Sequence, residues 1–290
     1  MSLPLIDYRA VVTGGASGIG RAIAQELSAR GAKVIVADVN EAGLTETRAS
    51  LNSGCSSFVC DVSKHEQVEA LATYASDTLG GCDMLFANAG VIAAGRYTKM
   101  TVPEADWILG VNIRGVWDTT ATFARMMEQQ AEGGRICFTG SEHSLGFQHA
   151  NAAIYTASKH AVLGLAEVLR AEAPEKISVS IFCPGLVGTA LGGGPRPDGI
   201  PVQERNLDMS ARIQARGMPV EEAARDAVDG ALRRDFYIVT HSHTISAAEK
   251  RLAEMKAAFA SQAPWERNED RYEVNSVIAA VAAELKNEAK

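Results

Sequence analysis

"RAVVTGGASGIGRAIAQELSARGAKVIVAD", residues 9 to 38, decides how this chain is built. After Arg9 comes a short apolar, β-branched run that stops at glycines, the pattern of a strand buried on both faces. A helical pattern extends from Gly20 through Arg30 and ends at Gly31, and Lys33 to Asp38 repeats the strand pattern. Strand, helix and strand in that order make a β-α-β unit, whose crossover places the two strands parallel. Strand-like runs recur at 57–61, 84–88, 135–139, 179–183 and 236–240, each separated by helical lengths. A doubly wound parallel α/β sheet is therefore expected.

Composition narrows the function. The chain has 290 residues, 47% of them hydrophobic, which suffices for one large domain with a full core. Its formal charge is −7, with both signs mixed along the chain and no basic run, so neither nucleic acid nor an anionic membrane surface is an expected partner. No stretch approaches the roughly 18 uninterrupted apolar residues of a membrane span, and no charged-then-apolar signal opens the sequence. A cytoplasmic protein is expected. Five cysteines lie scattered without a CxxC pair and read as reduced, mostly buried thiols. No metal site is expected, since His241 and His243 have no Cys, Asp or Glu set to complete a ligand group.

Residues 192–201, "GGGPRPDGIP", are too rich in glycine and proline for a helix or strand. They follow the carboxyl end of a strand, where such sheets bind ligands, and a mobile lid near 190–218 is expected alongside the plainer reading of a surface loop. The domain itself is taken as residues 1–242. Two amphipathic patterns follow in 243–290, one through Leu252 and Phe259 and one through Val277 and Leu285, around a break at Pro264 and Trp265. They read as a helical extension packed on the domain or on a partner subunit.

"TGGASGIG", Thr13 to Gly20, lies between the first strand and the first helix. Glycines there let the backbone turn tightly and approach a pyrophosphate, whose charge meets the free N–H groups of the following helix. Gly14, Gly18 and Gly20 hold the three special positions, with Ser17 and Ile19 between them; a plain glycine turn is the simpler alternative. Asp38 ends the second strand eighteen residues after Gly20, where a carboxylate can accept hydrogen bonds from both adenosine ribose hydroxyls and would repel a 2′-phosphate. It could also serve as a turn or capping residue. With no Arg or Lys at Val39 or Asn40, NAD rather than NADP is the expected cofactor.

"YTASK", residues 155–159, puts a tyrosine and a lysine four residues apart, on one face of a helix. A tyrosine with its ordinary pKa near 10 is a poor base at neutral pH, and a cation about 4 Å away supplies the roughly 4 kcal/mol needed to lower it by about three units. A snorkelling surface pair is the bland alternative. Together with the glycine turn, "DV" at 61–62, "NAG" at 88–90, Asn112, Ser141 and "PGLVGT" at 184–189, this pair resembles the short-chain dehydrogenase/reductase family over about residues 7–242.

That resemblance implies a Rossmann-type fold and assigns roles. Tyr155 becomes the acid/base, Lys159 binds the nicotinamide ribose and lowers the tyrosine pKa, Ser141 hydrogen-bonds the substrate oxygen and Asn112 anchors a water path to Lys159. Asp61 and Val62 fall at the adenine, Asn88 near the adenosine ribose with Gly90 in the same motif, and Val187 with Thr189 at the carboxamide. Ser141 stands fourteen residues before Tyr155 where the family has thirteen, which reads as a one-residue insertion. The chain also continues past Thr240 without the usual family ending, so a homodimer is expected as well as the family's common homotetramer.

Substrate-facing positions, including Ile92, Phe147, Leu186 and Leu191, are largely apolar, with Arg96 and Arg196 the nearest cations in sequence. His143 and His149 could bind a polar substituent or be structural. The small-molecule substrate is expected to be a hydrophobic secondary alcohol or its ketone, including aromatic and alicyclic ones. Ser141, His143, Phe147 and Leu186 are the candidate contacts. The rival reading is a non-catalytic NAD-binding regulator or redox sensor, which would need the glycines and Asp38 but not a tuned base. An extended-branch epimerase or dehydratase fits the glycine spacing and the length less well.

Overall fold

Side chains alternate across the pleat of a strand, and this sets the layers. In β1 (Arg9–Thr13), Ala10 and Val12 point to one face of the sheet and Val11 to the other, and all three are completely buried. A computed structural model describes residues 3–189, 191, 196, 197, 199, 200, 211–263 and 272–288.

The other strands are β2 (Lys33–Asp38), β3 (Ser56–Val59), β4 (Met84–Ala87), β5 (Gly134–Thr139), β6 (Ile177–Cys183) and β7 (Tyr237–Val239). They form one seven-stranded sheet in the order β3-β2-β1-β4-β5-β6-β7, with every pairing parallel. This is the doubly wound sheet expected from the sequence. Its order reverses direction between β1 and β4, which opens a crevice at their carboxyl ends.

On one face, α1 (Gly18–Ala29) and α8 (Val220–Arg233) bury Ile23, Leu27, Ala224 and Val228 against Val12, Val34 and Val36. On the other, α3 (His65–Leu79), α5 (Val116–Gln129) and α7 (Ala153–Glu172) bury Leu71, Phe123, Met127 and Val162 against Val11, Leu85 and Ile136. Complete burial of a Phe or Leu side chain contributes about 1.5–3 kcal/mol each, so the sheet and its two helical layers hold the loops at the crevice in place. The shorter helices α2 (Glu41–Ala49), α4 (Val102–Leu109) and α6 (Glu142–Leu145) lie between strands. Helix α4 begins with a capping box between Thr101 and Glu104, and a π-helical turn, Gly110–Gly115, joins it to α5.

Two compact units divide the chain, Met1–Thr244 and Ile245–Lys290. The second contains α9 (Ile245–Gln262) and α10 (Val274–Glu288), neither of which buries a residue. The expected break at Pro264 and Trp265 lies outside the described residues, as do residues 190, 192–195, 198 and 201–210 of the expected lid. No helix among the described residues is long and apolar enough to cross a membrane. All five cysteines are buried free thiols, and no group of three or more His, Cys, Asp or Glu among the described residues could hold a metal.

Candidate active site

The crevice between β1 and β4 opens into a cavity of 1390 Å³. At its floor Thr13 ties the two strands together: its hydroxyl accepts from the N–H groups of Asn88 (3.1 Å) and Ala89 (3.2 Å). Gly14 then turns at φ +67°, so close to the end of β4 that a Cβ would lie 2.8 Å from the Ala89 Cα. A Cβ on Gly20 would lie 2.1 Å from the Gly14 carbonyl oxygen. Only glycine fits either position.

Helix α1 begins two residues earlier than its apolar pattern indicates, because Ser17 already adopts the extended N-cap conformation and makes no side-chain cap. Its first N–H groups and positive end therefore remain available beside Gly14, Ser17, Gly18 and Ile19, which line the cavity. This cradle fits a pyrophosphate. Gly20 is behind it, as packing rather than as wall. Thr189 stands opposite, 3.3 Å from where a Gly18 Cβ would be, with Val187 on the same wall.

Asp38 sits at the carboxyl end of β2, where two backbone N–H groups, from Ala16 (3.1 Å) and Asn40 (3.0 Å), fix its carboxylate at the cavity rim. Asp61 and Val62 line the same end, with Lys64 and Arg114 as cations the sequence reading had not placed there. Asn88 also lines the cavity, but its amide is a strut: it donates to the carbonyls of Thr13 (3.1 Å) and Gly14 (3.4 Å) and accepts from Thr139 (3.3 Å). Gly90 borders the Lys159 ammonium, which would lie in ordinary contact, 3.6 Å, with a Cβ there.

Tyr155, Lys159 and Ser141 meet at the other end of the cavity. Tyr155 and Lys159 come from one face of α7, with exposures of 7% and 4%. Lys159 Nζ donates to the Thr139 carbonyl (2.8 Å) and lies 5.7 Å from the Tyr155 ring centre. Asn112 is outside the cavity wall. Its Oδ1 accepts from the Val91 N–H (2.8 Å), while its Nδ2 donates to the Val91 carbonyl (2.9 Å) and to Ser158 Oγ (3.1 Å). It thus locks the loop after β4 onto α7.

Burial governs the charges here. It pushes the Tyr155 hydroxyl up to about 12; a hydrogen bond from Ser141 works against this rise, and the Glu142 carboxylate adds to it. Burial also lowers Lys159 to about 8. Desolvation is thus the leading cause for both groups, raising the tyrosine and lowering the lysine. His143 falls to about 4 through burial and then through the neighbouring His149, His160 and Lys159, so its ring is neutral. It pairs with Thr156 Oγ1 at 2.8 Å.

The remaining wall holds Trp107, Leu186, Leu191, Ile200 and Ile213. Arg196 also reaches it and stacks over the Trp107 ring at 5.4 Å, so the substrate end contains a cation. His143, His149 and Leu186 line the cavity as expected. Phe147 does not. The chain turns away at Gly146 (φ +124°), leaving the Phe147 ring packed against His143 and His149. Sequence reading also missed Thr139, which accepts from Lys159, and Ser158, which accepts from Asn112 as well as donating to the nearby Tyr155 carbonyl.

Comparison with known proteins agrees with this geometry. The profile of the short chain dehydrogenase family matches residues 8–198. A D-beta-hydroxybutyrate dehydrogenase of Cupriavidus necator is 32% identical over 225 residues, 76% of this chain and 81% of the relative. A (+)-cis,cis-nepetalactol synthase of Nepeta racemosa is 36% identical over 188 residues, 63% of this chain and 69% of the relative. Among solved structures, a short chain dehydrogenase/reductase from Burkholderia phymatum in complex with NAD superposes with a TM-score of 0.80 at 30% identity, covering 88% of this chain and 96% of the other.

Proposed function

The chain belongs to the short-chain dehydrogenase family, and from that premise we propose that it is an NAD-dependent oxidoreductase interconverting a hydrophobic secondary alcohol and its ketone. One observation carries the reading: Ser141, Tyr155 and Lys159 converge on the wall of the same cavity that the glycine turn and Asp38 border. A sensor that only binds a nucleotide would need the second group and not the first.

The glycine turn and the N-terminus of α1 would hold the pyrophosphate, Asp38 the adenosine ribose, and Lys159 the nicotinamide ribose. When bound, nicotinamide supplies the hydride chemistry. Tyr155 takes the alcohol proton during oxidation and returns it during ketone reduction. Ser141 and Tyr155 donate hydrogen bonds to the substrate oxygen, where negative charge develops as the ketone is reduced. The protein alone keeps Tyr155 protonated, which suits the reductive direction. For oxidation the tyrosinate needs added positive charge in the cavity, which an oxidised nicotinamide held there would supply.

Apolar side chains from Trp107 to Ile213 support a hydrophobic substrate, including aromatic and alicyclic alcohols. The test is nicotinamide absorbance with NAD or NADP and a panel of aryl, alicyclic and hydroxy-acid alcohols, run beside Tyr155→Phe. Turnover of the apolar classes with NAD, lost in the variant, is expected. Preference for hydroxy acids with the aryl alcohols inert would overturn the substrate class and turn attention to Arg196. Tight NAD binding with no turnover of any class would favour the sensor.

A further inference from the structure

Ser141 caps α6, whereas Tyr155 and Lys159 lie on α7: what fixes one against the other? Ser141 and Lys159 belong to different elements, and the loop after α6 leaves that short helix through a positive-φ glycine. One buried hydroxyl spans the gap. Ser144 Oγ accepts from the Ser141 backbone N–H at 3.2 Å and donates to the Lys159 carbonyl at 2.7 Å.

Ser144 is 1% exposed, so both bonds are shielded from bulk solvent. Its oxygen also lies against the end of β5, 2.9 Å from where a Gly140 Cβ would be, with Cys183 Sγ 3.1 Å from the same point. We propose that Ser144 is a positioning residue for catalysis, holding the Ser141 backbone at a set distance from the α7 turn that bears Tyr155 and Lys159. This rests on reading those three as the catalytic set.

The consequence is specific. His143 also ties α6 to α7, through Thr156, but that bond is made by a neighbouring side chain and leaves the Ser141 N–H unaddressed. Ser144→Ala leaves that N–H with only the Cys183 sulfur, a weaker acceptor, beside it, and α6 is then free to shift towards an oxygen acceptor. Displacement of about 1 Å in a reacting group can lower the rate by up to about a hundredfold. Because the Ser141 hydrogen bond opposes the burial that raises Tyr155, its loss also moves tyrosine ionisation to higher pH.

Ser144→Ala and Ser144→Thr are to be compared with wild type on the alcohol found in the panel, with Ser141→Ala and Tyr155→Phe alongside. For Ser144→Ala we expect kcat to fall by about ten- to a hundredfold, the apparent pKa of the oxidation profile to rise, KM for NAD to stay, and the melting midpoint to fall only by the modest amount that two lost buried hydrogen bonds account for. Thr, which keeps the hydroxyl, should restore both rate and pKa. Wild-type kcat and pKa in Ser144→Ala would overturn the proposal. So would a loss of kcat accompanied by equal losses of NAD binding and thermal stability with the pKa unmoved, which is plain destabilisation. If Ser141→Ala and Tyr155→Phe also keep full activity, the catalytic reading itself fails, a different outcome from Ser144→Ala alone being silent.

Discussion

Replacing Asp38 with asparagine removes one negative charge from the cavity rim while keeping the side chain's shape. The carboxylate is held by the Ala16 and Asn40 N–H groups, so it cannot swing away from an adenosine ribose that approaches it. An oxygen accepting from a ribose hydroxyl would bring a phosphate on that hydroxyl to within about 4 Å, a repulsion of about 4 kcal/mol per unit charge at an effective dielectric near 20. Asp38 is half-buried, so solvent and salt reduce this to about 2 kcal/mol, about thirtyfold in NADP affinity. On the NAD side, exchanging a charged acceptor for a neutral one costs about 1 kcal/mol, or about fivefold. The ratio of kcat/KM for NAD to that for NADP should therefore fall by about a hundredfold in Asp38→Asn. Added salt should weaken the wild type's discrimination and leave the variant's nearly unchanged. An NAD to NADP ratio within about threefold of wild type would show that Asp38 does not repel a 2′-phosphate with the expected strength, which is several times larger.

Three further outcomes test the electrostatics and packing of the site. The Glu142 carboxylate helps to raise Tyr155, so Glu142→Gln should move the oxidation pH profile to lower pH; an unmoved profile would separate Glu142 from the tyrosine. His143 is held at about 4, below its ordinary 6.5, so between those values the unfolded chain binds more protons than the folded one and stability rises with pH. Urea titrations should show that gain in wild type and a smaller one in His143→Gln, and parallel curves would count against it. Gly20→Ala drives a Cβ into the Gly14 carbonyl and should cost about 1–3 kcal/mol of stability together with NAD affinity, read by melting and by binding; an unchanged melt with full affinity would show that the turn can yield.

Much of the fold was legible because it rests on local rules. β1 and β2 run over the residues their apolar patterns indicate, since each is a branched apolar run stopped by glycine or charge. Burial on both faces makes such runs continuous in a parallel sheet. Asp61 and Asn88, expected within strands, lie just beyond β3 and β4, which is what puts them at the cavity. Tyr155 and Lys159 were legible for a similar reason, helical spacing alone placing them on one face.

The alternation of strand and helix, the glycine turn and the tyrosine-lysine face were all readable along the chain, because each depends on residues a few positions apart. Tertiary structure alone decided the rest. Asn112 bonds to Val91 and Ser158, Asn88 to Thr13, Lys159 to Thr139 and Ser144 to Lys159 across 15 to 75 positions. Phe147 packs against His143 and His149 instead of lining the cavity, and Arg196 reaches the wall over Trp107. The charges of Tyr155 and Lys159 followed the same logic: their shared helix face could be foreseen from their spacing, whereas the desolvation that shifts both depends on what else packs around them, and only the folded chain sets that.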